Sequence, residues 1–190
     1  VDLVNFGSRE IFDLFKIYQQ RANFYEGREV LIYHNHGVNA GASIRHSHSQ
    51  LVVIPADYAT TMHSRERAPI NIVKVKSDNF QVYCPSDSVW SYETAIIYKR
   101  GVLDFGKLRT SQLKELSSIF LRVLQAIYKE SGAGFNSWSY NFFILPGREW
   151  QLRIIPRLEI PAGLEIGSGV EVEVVPPEIA AHAIGKRFRS

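Results

Sequence analysis

Between Glu29 and Pro55, two β-branched and aromatic runs flank a short glycine-bearing loop, and this stretch restricts the chain more than any other. Glu29 to His34 has the composition of a strand. Gly37-Val38-Asn39-Ala40-Gly41 then supplies the residues that reverse a backbone. Ser43 to Ile54 reads as the returning strand and stops at Pro55, whose nitrogen has no hydrogen for a ladder. A short reversing loop lays consecutive strands side by side in opposite senses, so the sheet must be antiparallel here.

The rest of the chain extends that pattern. Ser8 is placed to cap a helix running to about Asn23, because Ile11, Leu14, Phe15, Ile17 and Tyr18 recur at helical spacing. Residues 56 to 69 are polar and charged, close on Pro69, and read as a linker. Beyond it, strands are expected at Ile70 to Val75, Phe80 to Tyr83 and Thr94 to Tyr98. Thr110 or Ser111 should cap a long helix with Leu113, Leu116, Ile119, Phe120, Val123, Leu124 and Ile127 on one broad face and Gly132 past its end. Strands at Tyr140 to Leu145, Trp150 to Ile155 and Val170 to Val175 follow, and Pro176-Pro177-Glu178 opens a last short helix. Strands outnumber helices and come as neighbours, which predicts an α+β fold of largely antiparallel sheets with packed helices. The linker divides the chain into residues 1–68 and 69–190.

At 190 residues and 45% hydrophobic content the chain can bury a real core. No run approaches the roughly 18 to 20 apolar residues of a membrane span, and Val1-Asp2-Leu3-Val4-Asn5 lacks the basic start of a signal peptide. The expectation is a cytoplasmic protein with no membrane partner. The single cysteine, Cys84, leaves no internal disulfide framework and no Cys-x-x-Cys metal knuckle. A net charge of +3 with one basic cluster, Lys186-Arg187-Phe188-Arg189, makes no stripe suited to nucleic acid, while small phosphorylated ligands remain compatible.

The chemistry-bearing segment is His46-Ser47-His48-Ser49-Gln50. If it is a strand, His46, His48 and Gln50 share one face, roughly 6.5 to 7 Å between successive members, while Arg45, Ser47 and Ser49 face away. An imidazole is a good nucleophile toward phosphorus, since its ordinary pKa of about 6.5 leaves it mostly neutral at pH 7. The loop adds N–H groups from Asn39 to Ser43 beside glycines that admit anionic oxygens. Taken alone, the His-x-His pair fits metal chelation and phosphoryl chemistry equally.

Asn35, the Gly37 to Gly41 loop, Ser43 and His46-Ser47-His48-Ser49-Gln50 together resemble the signature of the galactose-1-phosphate uridylyltransferase family, part of the histidine-triad superfamily. Ser47 stands where proline is usual, and Gln50 is similar to the glutamine of transferases and phosphorylases rather than the histidine of hydrolases. Trp90-Ser91-Tyr92-Glu93, Tyr140-Asn141, Ile155-Pro156-Arg157 and Ala162-Gly163-Leu164-Glu165 resemble later family segments. The resemblance implies that residues 1–68 end a first histidine-triad-like unit and that 69–190 form a second. It implies a nucleotidyltransferase in which His48 takes a nucleoside monophosphate, in the prime case UMP exchanged between UDP-glucose and galactose 1-phosphate. Gln50 would hold a non-bridging oxygen, Asn35, Gly41, Ala42 and Ser43 the phosphates, and Glu165 the sugar of a partner subunit's site. His46 would be a ligand of a structural zinc, and a homodimer is implied.

The family pattern also departs in two places. The segment that walls the base and carries cysteine metal ligands does not appear in this sequence, so the expectation is a fragment, a separate chain that supplies that part, or a rebuilt site. Glu149-Trp150-Gln151 replaces a second His-x-His, with Glu149 read as a surface carboxylate and His36 as the substitute donor beside the loop. The rival readings are a nucleotide-sugar or dinucleoside-polyphosphate phosphorylase, a non-catalytic nucleotide-binding subunit, and a small metal-binding sheet protein using His46 and His48 together.

Overall fold

A computed structural model describes residues 2–25, 27–44, 46–55, 69–134, 138–147 and 149–189. The expected linker falls almost wholly outside them. A six-stranded antiparallel sheet organises the molecule, in the order β2-β1-β5-β6-β4-β3. Its strands are β1 (Glu29–His36), β2 (Ser49–Ile54), β3 (Phe80–Tyr83), β4 (Thr94–Tyr98), β5 (Tyr140–Leu145) and β6 (Gln151–Pro156). The helices are α1 (Ser8–Phe24), α2 (Thr110–Ser131), α3 (Gly163–Ser168) and α4 (Pro177–Lys186). This is the α+β architecture expected, and β1 pairs with β5 so that strands from both sides of the linker share one sheet.

Helices α1 and α2 cover one face of the sheet. Ile11, Phe15 and Tyr18 recur on one side of α1, and Leu113, Leu116, Phe120, Val123 and Ile127 on one side of α2, all buried. Phe120 meets Phe15 at 5.1 Å and the β5 residue Phe142 at 5.0 Å, ring to ring. Burial of each such side chain contributes roughly 1.5 to 3 kcal/mol, enough to fix two long helices against the sheet. Helix α1 begins one residue earlier in its capping than expected: Gly7 is the cap, and its N–H donates to Glu10 Oε2 at 2.7 Å. Helix α2 ends at Gly132 in the left-handed conformation, φ 63°.

Three expected strand segments are not strands as read. Of the expected strand 43–54, the described residues 43, 44 and 46–48 precede β2, because the β1–β2 ladder ends at His34↔Ser49. Residues 70–75 touch β3 by a single bridge, Ile72↔Tyr83. There α4 packs Gly185 against the Lys74 backbone, and a Cβ on that glycine would lie 3.3 Å from Lys74 N. Residues 170–175 alternate apolar and polar but lie at no sheet edge; Val175 N–H donates instead to Ser91 Oγ at 3.2 Å. Among the described residues no helix is long and apolar enough to cross a membrane.

Candidate active site

Strand β1 alternates cleanly: Val30, Ile32 and His34 are buried toward the helices, while Leu31, Tyr33 and Asn35 point to the open face. The strand ends at Gly37, φ 81°, where a Cβ would sit 2.1 Å from Ser139 Oγ and 2.6 Å from the Trp138 carbonyl oxygen. Only glycine closes this corner, on both steric and conformational grounds. A 3₁₀ turn, Val38–Ala40, leads to Gly41 at φ 74°. Asn141 of β5, directly opposite Asn35, clamps the turn by donating to Asn35 Oδ1 (2.8 Å) and to the Ala40 carbonyl (2.9 Å). With its carboxamide oxygen so engaged, Asn35 retains its NH₂ as a donor to an anion.

The expected cradle of N–H groups from Asn39 to Ser43 needs correction. Ala40 and Ala42 N–H donate to the Gly37 carbonyl at 3.3 and 3.2 Å, and Gly41 N–H donates to the Val38 carbonyl at 3.0 Å. Gly41 and Ala42 therefore shape the turn with their backbones, and the exposed Ser43 beyond it is the loop's outward polar residue.

His46 and His48 lie between this turn and β2, ring centroids 5.6 Å apart and tilted by 60°. His48 Nδ1 is 3.0 Å from the His46 carbonyl oxygen. A carbonyl only accepts, so Nδ1 carries the proton and the Nε2 lone pair is free. Gln50 follows on β2, exposed and opposite Tyr33 on the open face. Beside these residues the open face carries a hollow of about 320 Å³ lined by Leu31, Tyr33, Asn35, Asn141, Phe143 and Ile155.

Behind the nucleophile candidate the sheet is polar where polar groups are unexpected. Ser49 Oγ meets the Tyr18 hydroxyl of α1 and, at 3.1 Å, His34 Nδ1. His34 is 1% exposed. Burial, with smaller contributions from the His36 and His48 rings, pushes its imidazole down to about 4, opposed by a hydrogen bond to the His48 main chain. Burial likewise drives the Tyr18 hydroxyl up, out of its usual range. Sequence reading missed Asn141, Tyr33 and His34 as site residues. Strand alternation could have found Tyr33, which shares Asn35's face.

Other expected residues fall elsewhere. Glu165 is half-exposed on α3, and its carboxylate accepts the Ala162 N–H at 2.9 Å; hydrogen bonds from its own turn hold it below the usual carboxylate range. No contact joins it to His48 among the described residues. Glu149 is exposed, while Trp150 and Gln151 are buried. His36, expected as a substitute metal donor, instead sets Nε2 3.3 Å from Asp2 Oδ2, and Tyr140 donates to the other Asp2 oxygen at 2.9 Å. Among the described residues no three His, Cys, Asp or Glu side chains converge, so the donors present do not make the zinc site implied at His46, and no chemical step is routed through a metal.

No protein-family model matches the chain. The ADP-glucose phosphorylase of Arabidopsis thaliana is 28% identical over 203 aligned positions, covering 90% of this chain and 56% of that protein. The chain thus spans little more than half of that relative's length. The solved structure of a GalT-like protein from Arabidopsis thaliana superposes with a TM-score of 0.74 at 25% identity, covering 98% of this chain and 71% of that one. A uridylyltransferase structure shares the fold with a TM-score of 0.76 at 20% identity, covering 99% of this chain and 72% of that one.

Proposed function

We propose that the chain is a member of the galactose-1-phosphate uridylyltransferase family that moves a nucleotidyl group from a nucleotide sugar to a phosphate acceptor through a covalent intermediate on His48. The observation that carries this reading is the hydrogen bond from His48 Nδ1 to the His46 carbonyl, which leaves the Nε2 lone pair for attack. Nε2 attacks the α-phosphorus; the P–N bond forms as the bond to the bridging oxygen breaks, and sugar 1-phosphate leaves with that oxygen. The Nδ1–H···O=C contact stabilises the positive charge that the ring acquires. In the second half an acceptor phosphate oxygen attacks the same phosphorus and Nε2 departs with its electron pair restored.

The Gln50 carboxamide and the Asn35 NH₂ are donors for the non-bridging oxygens, with Ser43 a further one at the loop. The hollow lined by Leu31, Tyr33 and Phe143 is apolar with Asn35 and Asn141 at its edge, which suits a nucleoside or sugar ring. Two acceptors fit. Galactose 1-phosphate with UDP-glucose as donor is suggested by the family resemblance of the signature residues, and inorganic phosphate by the relative named ADP-glucose phosphorylase. A homodimer completes the site in this reading. The exposed Ile160, Leu164 and Ile166 flanking Glu165 supply apolar surface for a second copy to cover.

The test is intact-mass spectrometry after incubation with UDP-glucose and, separately, ADP-glucose, followed by peptide mapping. A UMP or AMP adduct on His48, absent from His48→Ala, is the expected result. Discharge of the adduct by inorganic phosphate or by galactose 1-phosphate then identifies the acceptor. No adduct with either sugar nucleotide, or an adduct on another residue, overturns the reading.

A further inference from the structure

The helix-covered face of the sheet is apolar along most of its width. In the row that crosses it through Ser49, His34, Phe142, Ile154 and Thr94, Phe142 and Ile154 are fully buried hydrocarbon and Thr94 satisfies its hydroxyl on the Tyr92 carbonyl. The other two polar members, Ser49 and His34, stand at the end next to His48. His34 lies flat on Phe142, ring centroids 5.1 Å apart at 12°, and against Tyr140 at 5.9 Å and 21°, so its ring cannot turn without displacing core aromatics. Its Nδ1 addresses Ser49 Oγ, it hydrogen-bonds the His48 main chain, and its Nε2 is buried with no partner. Burying an imidazole with one nitrogen unpaired weakens a fold, so packing alone would be better served here by leucine.

The ladder between β1 and β2 ends at this same pair, His34↔Ser49. His48 is therefore the first residue beyond the last fixed point of the sheet, and no strand partner sets its backbone. We propose that His34 is a positioning residue for nucleotidyl transfer: through Ser49 and the His48 main chain it holds the nucleophile's backbone so that Nδ1 reaches the His46 carbonyl and Nε2 keeps its lone pair for the phosphorus. Tyr18 of α1 completes the anchor by bonding Ser49 Oγ from the opposite side. The burial that keeps the His34 imidazole neutral preserves this geometry across the physiological pH range. The inference rests on His48 as nucleophile, and its test separates the two.

His34→Leu keeps the volume and removes the polar edge. His34→Asn restores a polar atom near the position of Nδ1. Single-turnover adduct formation at saturating sugar nucleotide should fall about 10- to 100-fold in His34→Leu, with half-saturation unchanged within about 3-fold, and recover to within about 3-fold of wild type in His34→Asn. In parallel, ¹⁵N NMR of the ligand-free chain should show His48 as the Nδ1–H tautomer in wild type and His34→Asn, and as a mixture in His34→Leu. Equal rates and an unchanged tautomer in a destabilised His34→Leu would leave His34 a packing residue and overturn the proposal. Should wild type form no adduct, the nucleophile reading falls while the tautomer comparison still decides whether His34 positions the ring. If His34→Leu does not fold, Tyr18→Phe, which removes one hydroxyl, should show the same tautomer shift, and its absence counts against the anchor.

Discussion

One row of residues crosses all six strands on the open face: Gln50, Tyr33, Phe143, Arg153, Ala95 and Tyr83. It begins exposed at Gln50, passes through half-buried Tyr33 and Phe143, and is buried from Arg153 to Tyr83. At the closed end the row contains an ion pair, Arg153 to Glu93 at 2.8 Å with both side chains 4% exposed, and Ser88 donates to the second Glu93 oxygen at 2.7 Å. At the open end the polar groups are the amides of Gln50 and Asn35 and the rings of His46 and His48. The same sheet face is thus used for packing on one side and left accessible for a ligand on the other. A charge is tolerated inside the packed end because it is paired and both carboxylate oxygens have a hydrogen-bond partner.

That contrast predicts that stability and transfer respond to different ends. The largest effect is expected from Glu93→Ala, which strands the Arg153 guanidinium in the interior. Chemical denaturation should show a loss of about 3 to 5 kcal/mol, while the folded fraction forms the His48 adduct at the wild-type rate. A transfer defect in that folded fraction would mean that the two ends are coupled, and the division drawn along the row would be wrong.

The next effect belongs to the open end's buried layer and is read by pH. The His34 imidazole is lowered to about 4 in the folded chain, against about 6.5 when unfolded. A group with a depressed folded pKa that ionises by gaining a proton favours the unfolded chain in acid. Its contribution is full above pH 6.5 and is lost as pH falls toward 4, on the order of 3 kcal/mol in all. Denaturation curves between pH 7 and 4 should show this acid loss in wild type and lack it in His34→Asn. If both proteins lose the same stability, His34 is not held neutral by burial.

The parts of this fold that were legible beforehand are those whose own pattern suffices. The stripes of α1 and α2 and the short runs of β3, β4 and β5 carry enough periodicity to specify both type and burial. Residues 43–48, 70–75 and 170–175 have strand-like composition too, yet a strand exists only where a neighbour offers a free edge. That is a property of distant segments such as α4 and the Ser91 loop. The site divides the same way. Asn35, His48 and Gln50 announce themselves by residue type and alternation, with Gly37 required at the corner. The closure of the turn by its own N–H groups and the Tyr18–Ser49–His34 layer depend on which helix lies behind β2, which no local pattern encodes.

Asn141 offers the smallest change, because it belongs to β5, two residues before the row's Phe143, and reaches the phosphate donor Asn35 and the turn through its carboxamide. Asn141→Leu keeps a side chain of similar size and deletes the donors to Asn35 Oδ1 and the Ala40 carbonyl. Both acceptors are partly solvated, so the stability cost should be modest, about 1 kcal/mol by denaturation. The Asn35 carboxamide, no longer held by its oxygen, can flip its NH₂ away from the phosphate. Sugar-nucleotide binding, followed by quenching of intrinsic tyrosine and tryptophan fluorescence, should therefore weaken about 10-fold, corresponding to roughly 1.4 kcal/mol, while the His48 tautomer stays as in wild type. Weakened binding with an unaltered tautomer would separate phosphate placement, set from β5, from nucleophile placement, set from β1 and α1. A shift of both together would mean that the turn and the His48 segment move as one unit.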